Sequence, residues 1–250
     1  MPGSWGNGTR LRLSIVSVEK VNLGAAGELA IRSLIEQAPL ASSLAEAFKK
    51  EGFRLALVGG PVRDAILGRL GNDLDFTTDA LPPESKKILK SWGEHIWDTG
   101  IEFGTVAAKR GDTTVEVTTY RSDKYDLESR KPEVEFGNNI DGDLSRRDFT
   151  VNCMALELTS TTPEFIDPFN GLADLAKKIL RTPVTPEQSF SDDPLRMMRA
   201  ARFASQLNFE IDPEVFTAMS TMTSRISIIS AERIRDEFMK MLLKSSKPSV

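Results

Sequence analysis

A short apolar stretch that runs into two glycines is the feature that most constrains how this chain can fold. Residues 55–58 (LALV) precede Gly59 and Gly60, and Pro61 suits the first turn of a helix. A strand, a glycine turn and a helix start present backbone N–H groups and a positive helix end to an anion. Arg63, one turn further on, is placed to reach the same anion. The pattern predicts a phosphate site or a plain tight turn, and it matches neither the dinucleotide fingerprint nor the P-loop.

Two carboxylates occupy alternate positions of the next predicted strand. Asp73 and Asp75 project to one face, with Cα atoms about 6.5–7 Å apart, while Leu74 and Phe76 face a core. Such a pair repels unless a cation lies between its members. Mg²⁺ takes oxygen ligands, and two such ions about 3.5–4 Å apart activate an attacking hydroxyl and stabilise a leaving phosphate. Because Asp-x-Asp is short and common, two solvated aspartates at a strand edge are the alternative interpretation.

A third carboxylate, Glu116, lies in a predicted hairpin of strands 103–109 and 113–120. Its position between valines is typical of the solvent face of a half-buried strand. The functional alternative is a third metal-site carboxylate, which sheet pairing would bring beside Asp73 and Asp75. The spacing alone leaves both interpretations open.

A basic and polar cluster follows at residues 145–152 (SRRDFTVN). Arginine donates to phosphate in a bidentate manner, and Asp148 and Asn152 suit hydrogen bonds to ribose hydroxyls. An ordinary surface ion pair is the alternative. The preceding polar stretch, 121–143, is long for a loop inside a compact domain, and its length is typical of a functional lid or of a solvated surface loop.

The composition limits the chemistry. The 250 residues, 40% hydrophobic and 27% charged, suit one globular domain and part of a second. With one histidine and one cysteine, the predicted metal ligands are carboxylates, which favours Mg²⁺ over Zn²⁺. The lone Cys153 suits the cytoplasm, and no apolar run approaches the ~20 residues of a membrane span. A net charge of −4 leaves any nucleic-acid binding to local basic patches.

The chain divides into three predicted segments. Residues 1–24 have no clear period, and we expect a disordered extension there. Residues 25–185 mix helices and strands in one domain, and Pro39 splits the first helical stretch in two. Residues 186–250 are predicted to be helical throughout.

The last segment opens on a strong helix start. Ser191 or Asp192 suits the N-cap, and Pro194 suits the first turn. Three-residue spacing predicts that Asp193 and Arg196 lie side by side. Apolar residues leave this helix little purely solvent face, so some of its arginines are expected to line a groove. These arginines recur every third residue, at Arg196, Arg199 and Arg202.

Several motifs, in this order, resemble one family. Together they are similar to class II tRNA nucleotidyltransferases, the CCA-adding enzymes, a family shared with bacterial poly(A) polymerases within the DNA polymerase beta-like nucleotidyltransferases. The resemblance covers about residues 40–245 of the chain. The motifs are 59–64 (GGPVRD), 73–76 (DLDF), 146–152 (RRDFTVN), 167–171 (DPFNG), 192–196 (DDPLR) and 230–234 (SAERI).

The resemblance implies an α+β fold. A DNA polymerase beta-like nucleotidyltransferase head, with a mixed sheet flanked by helices, would precede an all-helical neck. Asp73 and Asp75 would hold two Mg²⁺ ions, and Glu116 would be a third catalytic carboxylate. Nucleotide binding is implied for Gly59, Gly60, Arg63, Arg147, Asp148, Asn152, Asp193, Arg196, Arg199 and Arg202.

The implied activity is the addition of CMP and AMP, from CTP and ATP, to the 3′ end of tRNA, with neither a membrane nor DNA as partner. Asp193 and Arg196 would select the base by its Watson–Crick edge, and residues 121–132 would form the flexible loop that switches from CTP to ATP. Addition of A alone, or of poly(A), is the nearest alternative, and an RNA-binding module without turnover is the second.

Two departures from the family pattern matter. The selecting motif usually begins Glu-Asp, and here it begins Asp192-Asp193. The chain also ends at Val250, within the implied neck, so the resemblance implies that the helical body and tail are truncated.

Overall fold

The computed structural model describes residues 23–124, 133–137 and 139–245. The extension predicted over 1–24 therefore lies almost wholly outside the described residues, as do 125–132 of the implied flexible loop. None of the described helices is long and apolar enough to cross a membrane.

Helices and strands alternate in the first two thirds of the chain, and helices dominate the last third. The α-helices are α1 Leu23–Gln37, α2 Leu40–Lys50, α3 Gly60–Ile66, α4 Pro82–Trp92, α5 Ile140–Ser145, α6 Gly171–Lys177, α7 Pro186–Asp192, α8 Leu195–Leu207, α9 Pro213–Met222 and α10 Ala231–Lys244. The strands are β1 Leu55–Val58, β2 Asp73–Thr78, β3 His95–Trp97, β4 Thr105–Arg110, β5 Thr113–Thr119, β6 Arg121–Lys124, β7 Glu133–Phe136, β8 Ala155–Glu157, β9 Glu164–Ile166, β10 Ile179–Leu180 and β11 Glu210–Ile211.

A seven-stranded mixed sheet organises the first part of the chain, in the order β3-β4-β5-β2-β1-β8-β9. Strands β2 and β5 pair in parallel, and the other neighbours are antiparallel. The parallel pair forms because α4, β3 and β4 lie between the two strands in the chain and carry it back to the starting edge. The mixed α+β architecture predicted from the sequence is confirmed.

One face of the sheet carries the main core. Apolar residues at alternate positions, such as Leu57, Phe76 and Val117, are buried there against helices α1 to α4. Burial of each large side chain contributes roughly 1.5–3 kcal/mol. Part of the opposite face is covered by a smaller cluster that includes Tyr120 and Leu144.

The helix prediction around Pro39 is confirmed, because α1 ends at Gln37 and α2 begins at Leu40. The prediction of a loop over 121–143 is wrong in part. Strands β6 and β7 pair with each other, and α5 begins at Ile140. The two strands pair with each other and so satisfy their own backbone hydrogen bonds without an apolar face. Their polar sequence therefore lacks the alternation of apolar residues that predicts a strand.

Two further expectations are corrected in the last segment. It is not wholly helical, because β11 pairs in parallel with β10 across the expected boundary near 185. Ser191 and Asp192 do not open the arginine-bearing helix, since they end α7. The carboxylate of Asp193 instead accepts a hydrogen bond from the N–H of Leu195, where α8 begins. The domain limits of 25–185 and 186–250 stay predictions.

Candidate active site

The glycine turn lies against two arginine side chains. Gly59 has φ +75°, a conformation that strongly favours glycine. A Cβ atom at Gly59 would lie 2.8 Å from Nη1 of Arg147, and one at Gly60 would lie 3.4 Å from Nη2 of Arg63. The missing side chain of Gly59 therefore lets Arg147 approach the backbone at the start of α3, whereas a Cβ atom at Gly60 would be in ordinary contact with Arg63.

The carboxylate pair points away from the main core. Leu74 and Phe76 are buried, whereas Asp73 and Asp75 are exposed on the opposite face. In the parallel pairing of β2 with β5, Asp75 is the direct partner of Glu116, which is also exposed. Paired residues share a face of the sheet, so the third carboxylate lies beside the first two. The functional alternative for Glu116 needs this position, and the exposure of Glu116 also agrees with the solvent-face interpretation, so the two interpretations stay open.

The environment of Asp75 disfavours its charge. Although its side chain is exposed at the surface, the protein atoms packed around the Asp75 carboxylate reduce its hydration. This desolvation, together with repulsion from Glu116 and Asp73, raises its pKa to about 6, and Arg147 opposes the shift. A cation that binds beside such a carboxylate stabilises its charged form and relieves the repulsion from its neighbours. The cluster is therefore electrostatically suited to a divalent ion.

The donor set fits a magnesium ion that a phosphate helps to hold. Among the described residues, no three Cys, His, Asp or Glu side chains form a ready-made metal site. Asp73 and Asp75 nonetheless offer oxygen donors on one face. Because Mg²⁺ is usually bound by one or two carboxylates with water and substrate phosphates, the pair suffices for that mode. A metal-binding role for Glu116 stays a prediction.

A chain of hydrogen bonds connects α3 to α8. Nη1 of Arg63 donates to Oδ1 of Asn152 over 2.6 Å, and Nδ2 of Asn152 donates to Asp148 over 2.9 Å. Arg199 then donates to Asp148 through Nε and Nη2, at 2.9 and 2.6 Å. The structure thus brings together four residues for which the family resemblance implied nucleotide binding.

Asp148 is held ionised. Its burial alone would raise its pKa, but Arg199, with help from Asn152, lowers the pKa to about 2. Nε and Nη2 of Arg63 donate to Asp64, at 3.1 and 2.9 Å. Arg63 and Asp148 are engaged by protein partners, and their direct contacts to a nucleotide stay predictions.

Arg147 is better placed to meet an anion. Its Nη2 donates to Asp143 over 3.1 Å, whereas its Nε is buried without a hydrogen-bond partner among the described residues. Asp143 also accepts from Arg146 over 2.7 Å. Burial would raise the pKa of Asp143, but Arg147 and Arg146 lower it. Sequence reasoning missed Asp143 because it lies in a stretch that was interpreted as a loop.

Three guanidinium groups surround one aromatic ring. The Cζ atoms of Arg63 and Arg199 each lie 5.5 Å from the centroid of Phe203, and that of Arg202 lies 4.0 Å away. The ring of Phe149 meets Phe203 edge-on, with centroids 5.9 Å apart. Phe203 was not predicted as part of the site, since a lone aromatic on an apolar helix face is typical of a core.

The side chains of Asp193 and Arg196 are not paired with each other. Asp193 accepts from Arg233 over 3.0 Å. The guanidinium of buried Arg196 donates to Oγ of Ser189 over 2.9 Å and to the carbonyl oxygen of Arg146. The two residues meet only through the backbone, where the N–H of Arg196 donates to the carbonyl oxygen of Asp193 over 3.0 Å. The predicted side-by-side contact is therefore wrong for the side chains, and a role in base selection stays a prediction.

Arg202 connects α8 to α10, and its implied role in nucleotide binding stays a prediction. Its Nε donates to the buried carboxylate of Glu237, on α10, and its Nη1 donates to Gln206 over 2.8 Å. The motif around Asp167 also proves structural: its carboxylate accepts from the N–H groups of Gly171 and Leu172, at 2.7 and 2.9 Å, where α6 begins.

A glycine turn, two guanidinium groups and a carboxylate row converge on one side of a mixed sheet, an arrangement typical of domains that handle phosphates and divalent ions. Residues 55–181 match the Poly A polymerase head domain, and the chain belongs to that family. Residues 208–249 match the probable RNA and SrmB-binding site of polymerase A.

The chain is similar to proteins named CCA-adding enzyme. One, from Streptococcus pneumoniae serotype 19F, is 43% identical over 199 residues, which cover 79% of this chain and 48% of that protein. Another, from Lactobacillus johnsonii, is 41% identical over 212 residues, which cover 84% and 52%. The chain thus spans about half the length of the curated relatives it matches.

Solved structures show the same likeness. The CCA-adding enzyme of Bacillus stearothermophilus in complex with CTP is 35% identical, with a TM-score of 0.71, over 82% of this chain and 48% of that one. A tRNA nucleotidyltransferase complexed with a primer tRNA and an incoming ATP analogue is 31% identical, with a TM-score of 0.69, over 82% and 57%. The fold is the nucleotidyltransferase head of CCA-adding enzymes followed by a mainly helical region.

Proposed function

We propose that this chain provides the catalytic head and the nucleotide-selecting neck of an enzyme that adds CMP and AMP to the 3′ end of tRNA without a nucleic-acid template. The observation that carries the proposal is the direct pairing of Asp75 with Glu116 beside Asp73, on the face next to the glycine turn and Arg147. The relatives named CCA-adding enzyme, and the related structures with CTP or with primer tRNA, supply the substrates.

The reaction joins the 3′-hydroxyl oxygen of the RNA to the α-phosphorus of the nucleotide, and the bond from that phosphorus to the pyrophosphate oxygen breaks. Asp73 and Asp75 would hold divalent ions, which we propose to be two Mg²⁺; when bound, they supply charge for the attacking and leaving oxygens. Enzymes of the relatives' class use divalent ions.

The chain's own residues position the nucleotide and neutralise the charge of its triphosphate. Arg147, whose Nη1 lies against the Gly59 turn and whose charge acts on Asp75, donates to the triphosphate. Gly59 leaves room for this guanidinium group, because a Cβ atom there would lie 2.8 Å from its Nη1. Asp148 and Asn152 stand behind this position in a hydrogen-bonded chain that fixes Arg63, and Arg199 completes the chain.

Asp193 and Arg196, at the start of α8, select the base of the nucleotide. Arg196 is anchored by Ser189 and by the Arg146 carbonyl, and this fixed orientation is what recognition of a Watson–Crick edge needs. Asp193 offers the complementary acceptor at the N-terminus of the same helix. Arg202 supports the neck through Glu237. We place the enzyme in the cytoplasm, where the free thiol of Cys153 stays reduced.

The nearest alternative is the addition of A alone, which the match to a poly A polymerase head favours. Incubation of the protein and MgCl₂ with a tRNA that ends before CCA, with CTP alone, ATP alone and both, separates the two. Our proposal expects two C additions with CTP alone and completion to CCA with both nucleotides. Extension by A without any incorporation of C would overturn it.

A further inference from the structure

Within the part of the chain that the structure describes, half of the second face of the sheet is uncovered. Along β4 and β5 the residues on the main core side are buried except for half-buried Arg110, whereas those on the other side are half-buried or exposed. The cluster of Tyr120 and Leu144 covers the β1 and β8 side of this face. No described cluster of buried residues lies over β3, β4, β5 and β2.

One row of paired residues crosses the open half and ends at a tryptophan. Asp75 pairs with Glu116, Glu116 with Ala107, and Ala107 with Trp97. All four side chains therefore project from the same face, while the neighbour of Trp97, Ile96, packs into the core. Trp97 is 45% exposed, and no described aromatic ring or cation stacks on it.

The adjacent row carries a cation beside the tryptophan. Asp73 pairs with Thr114, Thr114 with Lys109, and Lys109 with His95. Lys109 forms no ion pair with any described carboxylate, and His95 is exposed. The open face is thus acidic at the metal-site end and carries an aromatic ring, an imidazole and an ammonium group at the other.

We propose that Trp97, His95 and Lys109, here called the edge platform, bind the 3′ strand of the RNA substrate upstream of its reacting end. This inference rests on the proposed function for the identity of the RNA. Single strands bind where bases stack on aromatic rings and a cation meets the backbone, which is the chemistry of this surface. Glu116 lies between the platform and Asp75. An RNA strand that follows this row therefore passes the Glu116 carboxylate, and the proposed metal ions nearby would screen the negative charge of that carboxylate.

The distance fits such a strand. Three strand spacings of about 4.8 Å separate Trp97 from Asp75, or ~14 Å in all. A stacked strand rises about 3.4 Å per nucleotide, so the platform would meet a base within about four nucleotides of the reacting 3′ end.

The test is RNA binding, which requires no turnover. The probe is a fluorescently labelled RNA hairpin with a four-nucleotide 3′ overhang, titrated with the full chain in MgCl₂. Loss of a base stack predicts that Trp97→Ala binds roughly 10-fold more weakly, whereas Trp97→Phe stays within about threefold of the wild type. Leu81→Ala, at an exposed apolar position at the start of α4, is the matched control and should bind as the wild type does. Equal affinity of the Trp97→Ala variant and the wild type would overturn the proposal.

The salt dependence tests Lys109 separately. Loss of one phosphate contact to a single strand predicts that Lys109→Gln lowers the slope of log Kd against log [KCl] by about 0.7. Lys50→Gln removes the same charge from α2, behind the main core, and should leave the slope unchanged. An unchanged slope in Lys109→Gln would contradict the platform.

Nucleotide addition distinguishes failure of this inference from failure of the proposed function. If the wild type adds no nucleotide but Trp97→Ala weakens RNA binding, the platform stands and the activity falls. If the wild type adds nucleotides and Trp97→Ala matches it in both binding and KM for RNA, the activity stands and the platform falls.

Discussion

The guanidinium carbon of Arg63 lies 5.5 Å from the ring centroid of Phe203, so a residue of the glycine-turn helix α3 contacts a residue of α8 140 positions further along the chain. Arg199 and Arg202 contact the same ring. Phe203 therefore joins the proposed phosphate side of the site to the proposed base-selecting side.

Phe203→Leu should weaken that junction. It removes three cation–π contacts and one edge-on ring contact, each worth roughly 0.5–1.5 kcal/mol, so we expect a loss of about 2 kcal/mol in the free energy of unfolding. The KM for nucleotide should rise, because Arg63 and Arg199 lose a fixed neighbour. Urea unfolding and steady-state kinetics measure both effects. Phe238→Leu, at an exposed site on α10, should change stability by less than about 0.5 kcal/mol, and an equal loss in both variants would contradict a special role for Phe203.

Asp148→Asn should show an acid-dependent loss of stability. The pKa of Asp148 is lowered to about 2 in the folded protein, from 3.8, so its stabilising effect is complete above pH 4 and is lost as the pH falls towards 2. We expect the variant to be about 2 kcal/mol less stable at pH 7. Urea unfolding from pH 7 down to pH 2 should show the gap closing. A gap that stays constant over this range would refute the ionised state of Asp148.

Asp75→Asn should stabilise the metal-free protein. The pKa of Asp75 is raised to about 6, so its charged form is disfavoured in the folded state and the wild type gains stability as the pH falls through 6 towards 4. The variant should therefore melt at a higher temperature at pH 8, with the difference vanishing near pH 4. MgCl₂ should raise the melting temperature of the wild type more than that of the variant. Asp112→Asn, in the exposed turn between β4 and β5, serves as control. A lower melting temperature of Asp75→Asn at pH 8 would contradict this account.

Gly171→Ala should be strongly destabilising. A Cβ atom there would lie 2.1 Å from the carbonyl oxygen of Thr150, so the two backbones must separate. We expect a loss of about 3 kcal/mol, measured by urea unfolding. Gly142→Ala, within α5, meets nothing within 4 Å and should be neutral or stabilising by up to about 1 kcal/mol. If Gly171→Ala and Gly142→Ala changed stability to a similar extent, the backbones of Gly171 and Thr150 would be able to separate at little cost, which would contradict the account.

The sequence revealed the local parts of the site well. Period-two alternation predicted that Asp73 and Asp75 share a face, and the glycine turn predicted the start of α3. The row from Asp75 to Glu116 also needed sheet order, because β2 and β5 are parallel and distant in the chain. Only the fold supplies that pairing.

The sequence could not predict the partners of the arginines. The i, i+3 rule placed Asp193 beside Arg196, yet Asp193 bonds to Arg233, 40 residues away, because α10 packs along α8. Arg202 and Glu237 meet for the same reason. Asp143 was hidden because a short polar helix has no apolar period that distinguishes it from a loop.

The central claim is that the carboxylates of β2 carry nucleotide addition. The most direct measurement is the incorporation of labelled CMP into a tRNA that ends before CCA, by the wild type, Asp73→Ala, Asp75→Ala and the control Asp112→Ala. We predict that each of the first two variants loses activity by roughly 100- to 1,000-fold or more while its circular dichroism stays that of the wild type, and that the control retains activity. Substantial incorporation by both Asp73→Ala and Asp75→Ala would contradict the account.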